Sequence, residues 1–292
     1  MTYLVQNVYV ANCLSPRPLP QELLITLLGN QLLHHSSHRV SAIGLIQILN
    51  QHGFSAASSR SALSRLVKRD FLTSHRAGRE THYSLSTRAE SSLIDGEHRI
   101  RTFVDEEDSQ ENEWTLLSYS LPVERRSSRD RLRRRLTFLG YGNLRDGQWI
   151  APGDRSLETD AVIRELELEQ HVELFLGRPA MTTDASRMIA EAWGPLDQLG
   201  NLYVKFSQKW DPAGPLRLGN DALFARTLLM HEWRQFPLID PGLANKYFVW
   251  SHHRREAQQL FTETWRCLEL AANQIFTETC VISDSFQPIA MR

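Results

Sequence analysis

Arginine, lysine and serine at helical spacing are the residues here whose types and positions could do chemistry, and that chemistry is anion recognition. From Ser55 to Arg69 the chain reads SAASSRSALSRLVKR. Arg60, Ser64 and Lys68 recur every fourth residue, with Ser61 and Arg65 beside them, so a helix gathers them on one face. Ala62, Leu63, Leu66 and Val67 fall on another side and predict a buried stripe. Nothing on the polar face is acidic. Cations there meet phosphates, arginine also reaches guanine edges, and small hydroxyl residues let the backbone come close to a groove. Ser55 is placed to cap the helix, just after a Gly53 that can end the preceding one. The candidate nucleic-acid contacts on this helix are Ser55, Ser58, Ser59, Arg60, Ser61, Ser64, Arg65 and Lys68. Taken alone, the pattern also fits an amphipathic helix with a solvated basic face, so the neighbouring elements decide.

Gln21–His34 predicts a helix with Leu23, Leu24, Leu27, Leu28 and Leu32 on one side. Val40–Asn50 predicts a second, with Ile43, Ile46 and Leu49 inward, and the basic helix is the third. Phe71–His75 and Thr81–Leu85 read as strands around the Gly-containing turn Arg76-Ala77-Gly78-Arg79. Three short helices and a hairpin are the order of a winged helix-turn-helix, whose third helix enters the major groove while the wing touches the adjacent backbone. Arg76 and Arg79 sit at the expected wing tip, where phosphate contacts belong. Between Arg39 and Arg79 seven basic residues face one acid, Asp70, a local charge of +6 in a chain whose formal net charge is −1. Local sign matters more than the total for a polyanion, so double-stranded DNA is the expected partner. The competing use of such a fold is protein contact.

Thr87–Val104 predicts a connecting helix, and the stretch from Asp105 to Glu113 holds six acids in nine residues, a solvated linker. Trp114–Leu121 then reads as a buried strand, Arg125–Leu139 as a helix, Tyr141–Leu144 and Gln148–Ala151 as a hairpin about Asp146-Gly147, Ser156–Leu166 as a helix and His171–Leu176 as a strand. The order β-α-β-β-α-β is that of the ferredoxin-like unit. Its first helix carries seven arginines (125, 126, 129, 131, 133, 134 and 135), which reads either as a solvated face or as an anion site with Arg129 and Arg133 among its contacts. From Asp184 onward the pattern is helical: Met188–Trp193, Leu196–Trp210, Asn220–Phe236 closed by Pro237, and Ser251–Leu270, after which no clear period remains. The expected fold class is α+β multidomain, with a winged helix over 20–88, a connecting helix and acidic linker over 89–113, a ferredoxin-like domain over 114–180 and an all-helical domain over 184–272.

Within Asn220–Phe236, Thr227, His231 and Arg234 share a face near Trp233, a combination that either binds an anionic or aromatic ligand or braces helix packing. Metal signals are weak. His34, His35 and His38 have no Cys or acid to complete a ligand set, and His252 with Glu256 supplies at most half of one, so no metal and no cofactor are expected. Cys13, Cys267 and Cys280 are few, odd in number and far apart, which argues against a disulfide framework or zinc ribbon and fits a reducing cytosol. The chain shows no apolar run approaching the roughly 20 residues of a membrane span and no signal-peptide pattern. No Gly-rich phosphate loop, nucleophile elbow or His-Glu-x-x-His motif points to an enzyme.

Three stretches together resemble the PaaX family of bacterial repressors of phenylacetic acid catabolism: SALSRLVKRDFLTSHRAGRETHYSLS (61–86), WTLLSYSLPVERRSSRDRLRRRLTFLGYGNLRDGQWIAP (114–152) and LLMHEWRQFPLIDPGL (228–243). The resemblance covers about residues 20–270. It implies a homodimeric repressor with the three parts above, a palindromic operator, and phenylacetyl-coenzyme A as the inducer that releases it. The chain departs from the family's usual Trp-Leu-Gly near the second helix, reading Ser41-Ala42-Ile43-Gly44, and from its Trp-Pro-Gly near the last helix, reading Trp250-Ser251-His252. The middle part also looks like the small CRISPR-associated ferredoxin-like nucleases. Metal-dependent cleavage would need an acid at the end of the first strand, and that strand ends Tyr119-Ser120-Leu121-Pro122. No nuclease activity is expected.

Overall fold

The computed structural model describes residues 18–33, 39–105, 113–180, 183–194, 196–211, 221–243 and 250–280. The histidine-rich break at 34–38, the acidic run at 106–112 and the Pro-rich turn at 212–215 lie outside them. The chain forms two compact units, each drawn from separate stretches. One takes the described parts of Pro16–Glu97, Pro212–His231 and Phe261–Arg292, and the other those of His98–Asp211 and Glu232–Leu260.

In the first unit, α1 (Pro20–Leu32) starts with proline in its first turn, where a missing N–H costs nothing. It buries Leu23, Leu24, Leu27, Leu28 and Leu32, the stripe predicted from spacing. The second element differs from expectation. Val40–Ser41 is a short strand, β1, and the helix α2 begins at Ala42 and runs to Gln51, capped by the Ser41 hydroxyl. Its inward residues are Gly44, Leu45, Ile48 and Leu49. Ile43, expected in the core, is 67% exposed. The rotation of α2 is set by the C-terminal helix α12 (Glu269–Cys280), which packs on it. A Cβ added at Gly44 would lie 2.2 Å from the Thr279 carbonyl oxygen and 3.0 Å from Cys280 Sγ. Burial at that contact pushes the Cys280 thiol up to about 12. α2 ends as predicted at Gly53, whose φ is +79°, and the Phe54 N–H returns to the Leu49 carbonyl at 3.1 Å. Next come α3 (Ala56–Lys68), β2 (Leu72–Ala77), β3 (Glu80–Leu85) and α4 (Thr87–Asp105), which from His98 onward belongs to the second unit. The antiparallel sheet has the order β1-β3-β2.

In the second unit, β4 (Trp114–Tyr119), α5 (Arg126–Phe138), β5 (Gly142–Arg145), β6 (Gln148–Pro152), α6 (Ser156–Glu165) and β7 (Val172–Gly177) follow the predicted β-α-β-β-α-β order. All strand pairs are antiparallel, in the order β5-β6-β4-β7. One core holds Leu117 and Trp149 from the sheet with Leu132 and Leu136 of α5 and Val162 and Ile163 of α6. Inside it the Tyr141 and Thr159 hydroxyls bond at 2.7 Å, and burial pushes the Tyr141 phenol up to about 12. α7 (Ala185–Trp193) packs against β5, with Trp193 where a Cβ on Gly142 would fall, 2.6 Å from the ring.

The helices α8 (Asp197–Trp210), α9 (Ala222–Trp233), α10 (Phe236–Ile239) and α11 (Ser251–Cys267) complete the order. The predicted helix over 220–236 is shorter than its apolar pattern. It stops at Trp233, and Pro237, expected as a terminator, instead opens the short α10, where its fixed φ suits a first turn. The last described helix, α12, occupies a stretch in which no period was legible.

Candidate nucleic-acid interface

α3 presents Arg60, Ser61, Ser64, Arg65 and Lys68 to solvent and buries Ala62, Leu63 and Leu66. The Ser55 hydroxyl accepts the Ser58 N–H at 3.1 Å and caps the helix. Two of the expected contacts are used within this cap. The Ser58 hydroxyl donates to the Ser55 carbonyl at 2.9 Å, and that of Ser59 does so at 3.0 Å. Ser59 is 0% exposed and is removed from the candidate surface. Its spacing to Ala62, Leu63 and Leu66 is i+3, i+4 and i+7, which puts it on the core stripe.

Arg39, Arg60, Arg65, Lys68, Arg69, Arg76 and Arg79 are all exposed. Among the described residues, none of them makes an ion pair. Their positive charge is therefore uncompensated, the condition under which a surface attracts a polyanion. Asp70, the one acid between Arg39 and Arg79, serves the backbone: it adopts φ +56°, an uncommon conformation for a residue with a side chain. There it lets the Phe71 N–H reach back to the Leu66 carbonyl at 2.9 Å and close α3. The Ser86 hydroxyl donates to the Asp70 carbonyl at 2.6 Å and accepts the Ala89 N–H at 3.1 Å. One serine thus ties the end of α3 to the root of the hairpin and the start of α4. Sequence reading missed both residues, because a left-handed aspartate carries no periodic signal.

The hairpin pairs Leu72↔Leu85 through Ala77↔Glu80, leaving a two-residue tip, Gly78-Arg79. Gly78 has φ +63°, which matches a tight hairpin whose first central residue is glycine. Arg79 is at the tip as expected, whereas Arg76 lies on the strand opposite Thr81. Glu80, beside the tip, is engaged by His82 Nε2 at 3.2 Å.

The arginines of α5 and its N-cap, Arg125, are used differently. Arg129 donates to the Leu121 carbonyl at 2.6 Å and Arg125 to that of Glu167 at 3.1 Å. Arg135 and Arg131 share Glu165, at 2.9 and 3.8 Å, and Arg133 lies 3.8 Å from Asp146. Of the two anion-contact candidates, Arg129 is thus already occupied within its own unit, while Arg133 only stands near the solvent-exposed Asp146.

Of the predicted ligand residues, Thr227 and His231 belong to the first unit and Trp233 and Arg234 to the second. The Thr227 hydroxyl is buried and donates to the Leu223 carbonyl at 2.7 Å. Arg234 stands in the turn after α9, half-buried like His231. Trp233 is fully buried, with Phe206 and Phe236 rings at 5.3 Å. A residue the sequence did not flag, Arg226, is 4% exposed, lies 3.7 Å from the Trp265 ring centroid and bonds Glu269 at 3.1 Å and Asn273 at 3.3 Å. Burial lowers its pKa, against the pull of Glu269. No group of three metal-ligating side chains occurs among the described residues, and no helix there is long and apolar enough to cross a membrane.

Three family models match in succession: the PaaX-like protein model over residues 20–89, the PaaX protein central Cas2-like domain over 107–189, and the PaaX-like protein C-terminal domain over 193–278. The chain belongs to the PaaX family. A relative, the transcriptional repressor PaaX of Escherichia coli (strain K12), is 24% identical over 283 residues, covering 93% of this chain and 88% of that one. A solved structure, the uncharacterized protein Rv0674 from Mycobacterium tuberculosis, matches with a TM-score of 0.49 at 19% identity, covering 85% of this chain and 96% of that one.

In this PaaX-family chain the C-terminal motif 228–243 builds structure. Glu232 accepts from Trp210 Nε1 at 2.9 Å and pairs with Lys209. Asp240, fully buried, accepts the Tyr203 hydroxyl at 2.6 Å and the Gly242 N–H at 2.8 Å, with Arg254 Nη1 at 3.5 Å. Each buried carboxylate is thus surrounded by donors, as burial of a charge requires.

Proposed function

We propose that this protein is a dimeric transcriptional repressor that holds its operator through a winged helix-turn-helix. In this reading α3 lies in the major groove, the Gly78-Arg79 tip contacts the adjacent phosphate backbone, and the central α/β part is a ferredoxin-like coupling domain. The carrying observation is the uncompensated cationic face of α3 and its wing, built on a helix whose other side is fully packed. Family membership and the repressor named among its relatives support the same reading. The protein is not an enzyme. It acts on DNA in the cytoplasm, on an operon for breakdown of phenylacetate or a related aromatic acid.

Release follows from an aryl-acyl-coenzyme A such as phenylacetyl-coenzyme A. Such a ligand shifts the repressor only if it binds one conformation better than the other. It need not touch the reading helix: favouring a form whose two reading heads no longer match the half-site spacing is sufficient.

Fluorescence anisotropy on the promoter of the protein's own operon tests both parts. Binding is expected to weaken steeply with salt as counterions are released, and to be lost on adding the thioester but not free phenylacetate. Binding indifferent to the thioester would refute the inducer, and absence of sequence-specific binding would refute the repressor.

A further inference from the structure

We propose that β7 is the strand through which two copies of this chain join. Their four-stranded sheets meet edge to edge along Val172–Gly177, antiparallel about a two-fold axis, with Phe175 opposite its counterpart. The inference rests on the dimeric reading above and names its interface.

The two edges of the sheet differ. β5 is short and broken by an irregularity between Asn143 and Arg145. β7 keeps an unbroken register with β4, from Trp114↔Gly177 to Tyr119↔Val172. Among the described residues no strand lies on its far side. A long regular edge is a ready template for another strand, and proteins commonly blunt it with charge, proline or a bulge. The middle of β7, Leu174-Phe175-Leu176, has none of these, and Phe175 is 56% and Leu176 46% exposed. An apolar row also runs across the sheet face to this edge. Ile150, Leu116 and Phe175 are cross-strand neighbours, and Ile150 is 4% exposed, Leu116 half-buried and Phe175 open.

The occupant is a second copy because the strand is self-complementary. About a two-fold normal to the sheet, paired residues must share a face, so the axis passes midway between one residue and its own copy. Centred on Phe175, the pairing sets Phe175 on Phe175, Leu174 on Leu176 and Glu173 on Gly177. Centred on Glu173 it would oppose two carboxylates, which is repulsive. Centred on Leu174 it would set Glu173 against Phe175, and on Leu176 it would set Leu174 against Arg178. Only the first of these pairs Leu174, Phe175 and Leu176 wholly among themselves and keeps the two acids apart, its one mismatch, Val172 against Arg178, falling at the ends of the strand. An isologous contact of this kind closes at two copies and leaves no further edge of the same type.

Sedimentation equilibrium of the full chain, with oxidative cross-linking, tests the interface. Wild type is expected to be a dimer, and Phe175→Asp to raise the dissociation constant at least about 100-fold with an unchanged thermal melt. In a background with Cys13 and Cys267 replaced by serine, Phe175→Cys should cross-link two copies under mild oxidation and Gly177→Cys should not. Should Phe175→Asp fail to fold, the cysteine pair decides. A Phe175→Asp dimer as tight as wild type, or a dimer that cross-links through neither cysteine or only through position 177, overturns the interface alone. A monomeric wild type overturns the dimeric reading with it, while DNA binding is judged by the anisotropy experiment.

Discussion

α3 and α5 are both 13-residue helices rich in arginine, yet they do opposite things with it. On α3 the guanidinium groups of Arg60 and Arg65 are exposed and unpaired among the described residues, on a helix anchored by Ala62, Leu63 and Leu66. On α5 and its N-cap, Arg125, five of the seven arginines lie within 4 Å of carbonyl or carboxylate oxygens of their own unit, three of them at 3.1 Å or less. Arginine content therefore says little about anion binding. What matters is whether the fold has already supplied the anion.

The sharpest way to break that contrast is to neutralise each helix in turn. Arg65→Ala should cost about 1–3 kcal/mol on the operator, as expected for loss of one base-reading arginine, with much less lost on random DNA. Arg79→Ala should weaken all DNA alike and lower the salt slope by about 1. Anisotropy on both DNAs checks the pair, and equal losses on operator and random DNA for both variants would erase the assigned division of labour. For α5 the expectation is reversed: Arg129→Ala should lose about 1.5–3 kcal/mol of stability in urea unfolding, the range for a hydrogen bond to a charged group, with DNA affinity unchanged.

A smaller effect comes from the clasp between α2 and the start of α9. His52 stacks on Phe224 at 3.6 Å, with Nε2 3.2 Å from Asp221. Burial lowers the imidazole pKa below its ordinary 6.5, and Asp221 partly offsets this. Because the folded pKa is the lower one, unfolding takes up a proton, and the stabilisation present above about pH 6.5 is lost as pH falls through the folded value. Thermal melts from pH 8 to 5 should fall more steeply for wild type than for His52→Gln, and parallel curves would exclude the clasp. Smallest of all is Arg135→Ala. Its pair with Glu165 is solvent-exposed, so stability should change by less than about 1 kcal/mol, and a larger loss in urea unfolding would show that α5 depends on this pair.

Much of the fold was legible where the signal is local. The leucines of α1, the Ser55 cap, the Gly53 stop and the hairpin around Gly78 are each decided by a few neighbouring residues. Misreadings arose where a distant segment decides. Ile43 turns outward because α12 presses on Gly44. Ser59 is a local misreading instead: its spacing to Ala62, Leu63 and Leu66 already puts it in the core. The face shared by Thr227, His231 and Arg234 was read from a helix that ends before Arg234. Asp240 and Glu232 were seen as a family motif, but their role needed Tyr203, Trp210 and Arg254 beside them.

Sequence by itself determined most of the element order, the basic lobe and the family, because periodicity, capping and charge act over one or two turns and motifs survive as strings. Tertiary structure alone decided which cations keep their charge free and which sheet edge stays open. Those properties depend on partners brought together by folding, and no spacing along the chain encodes them.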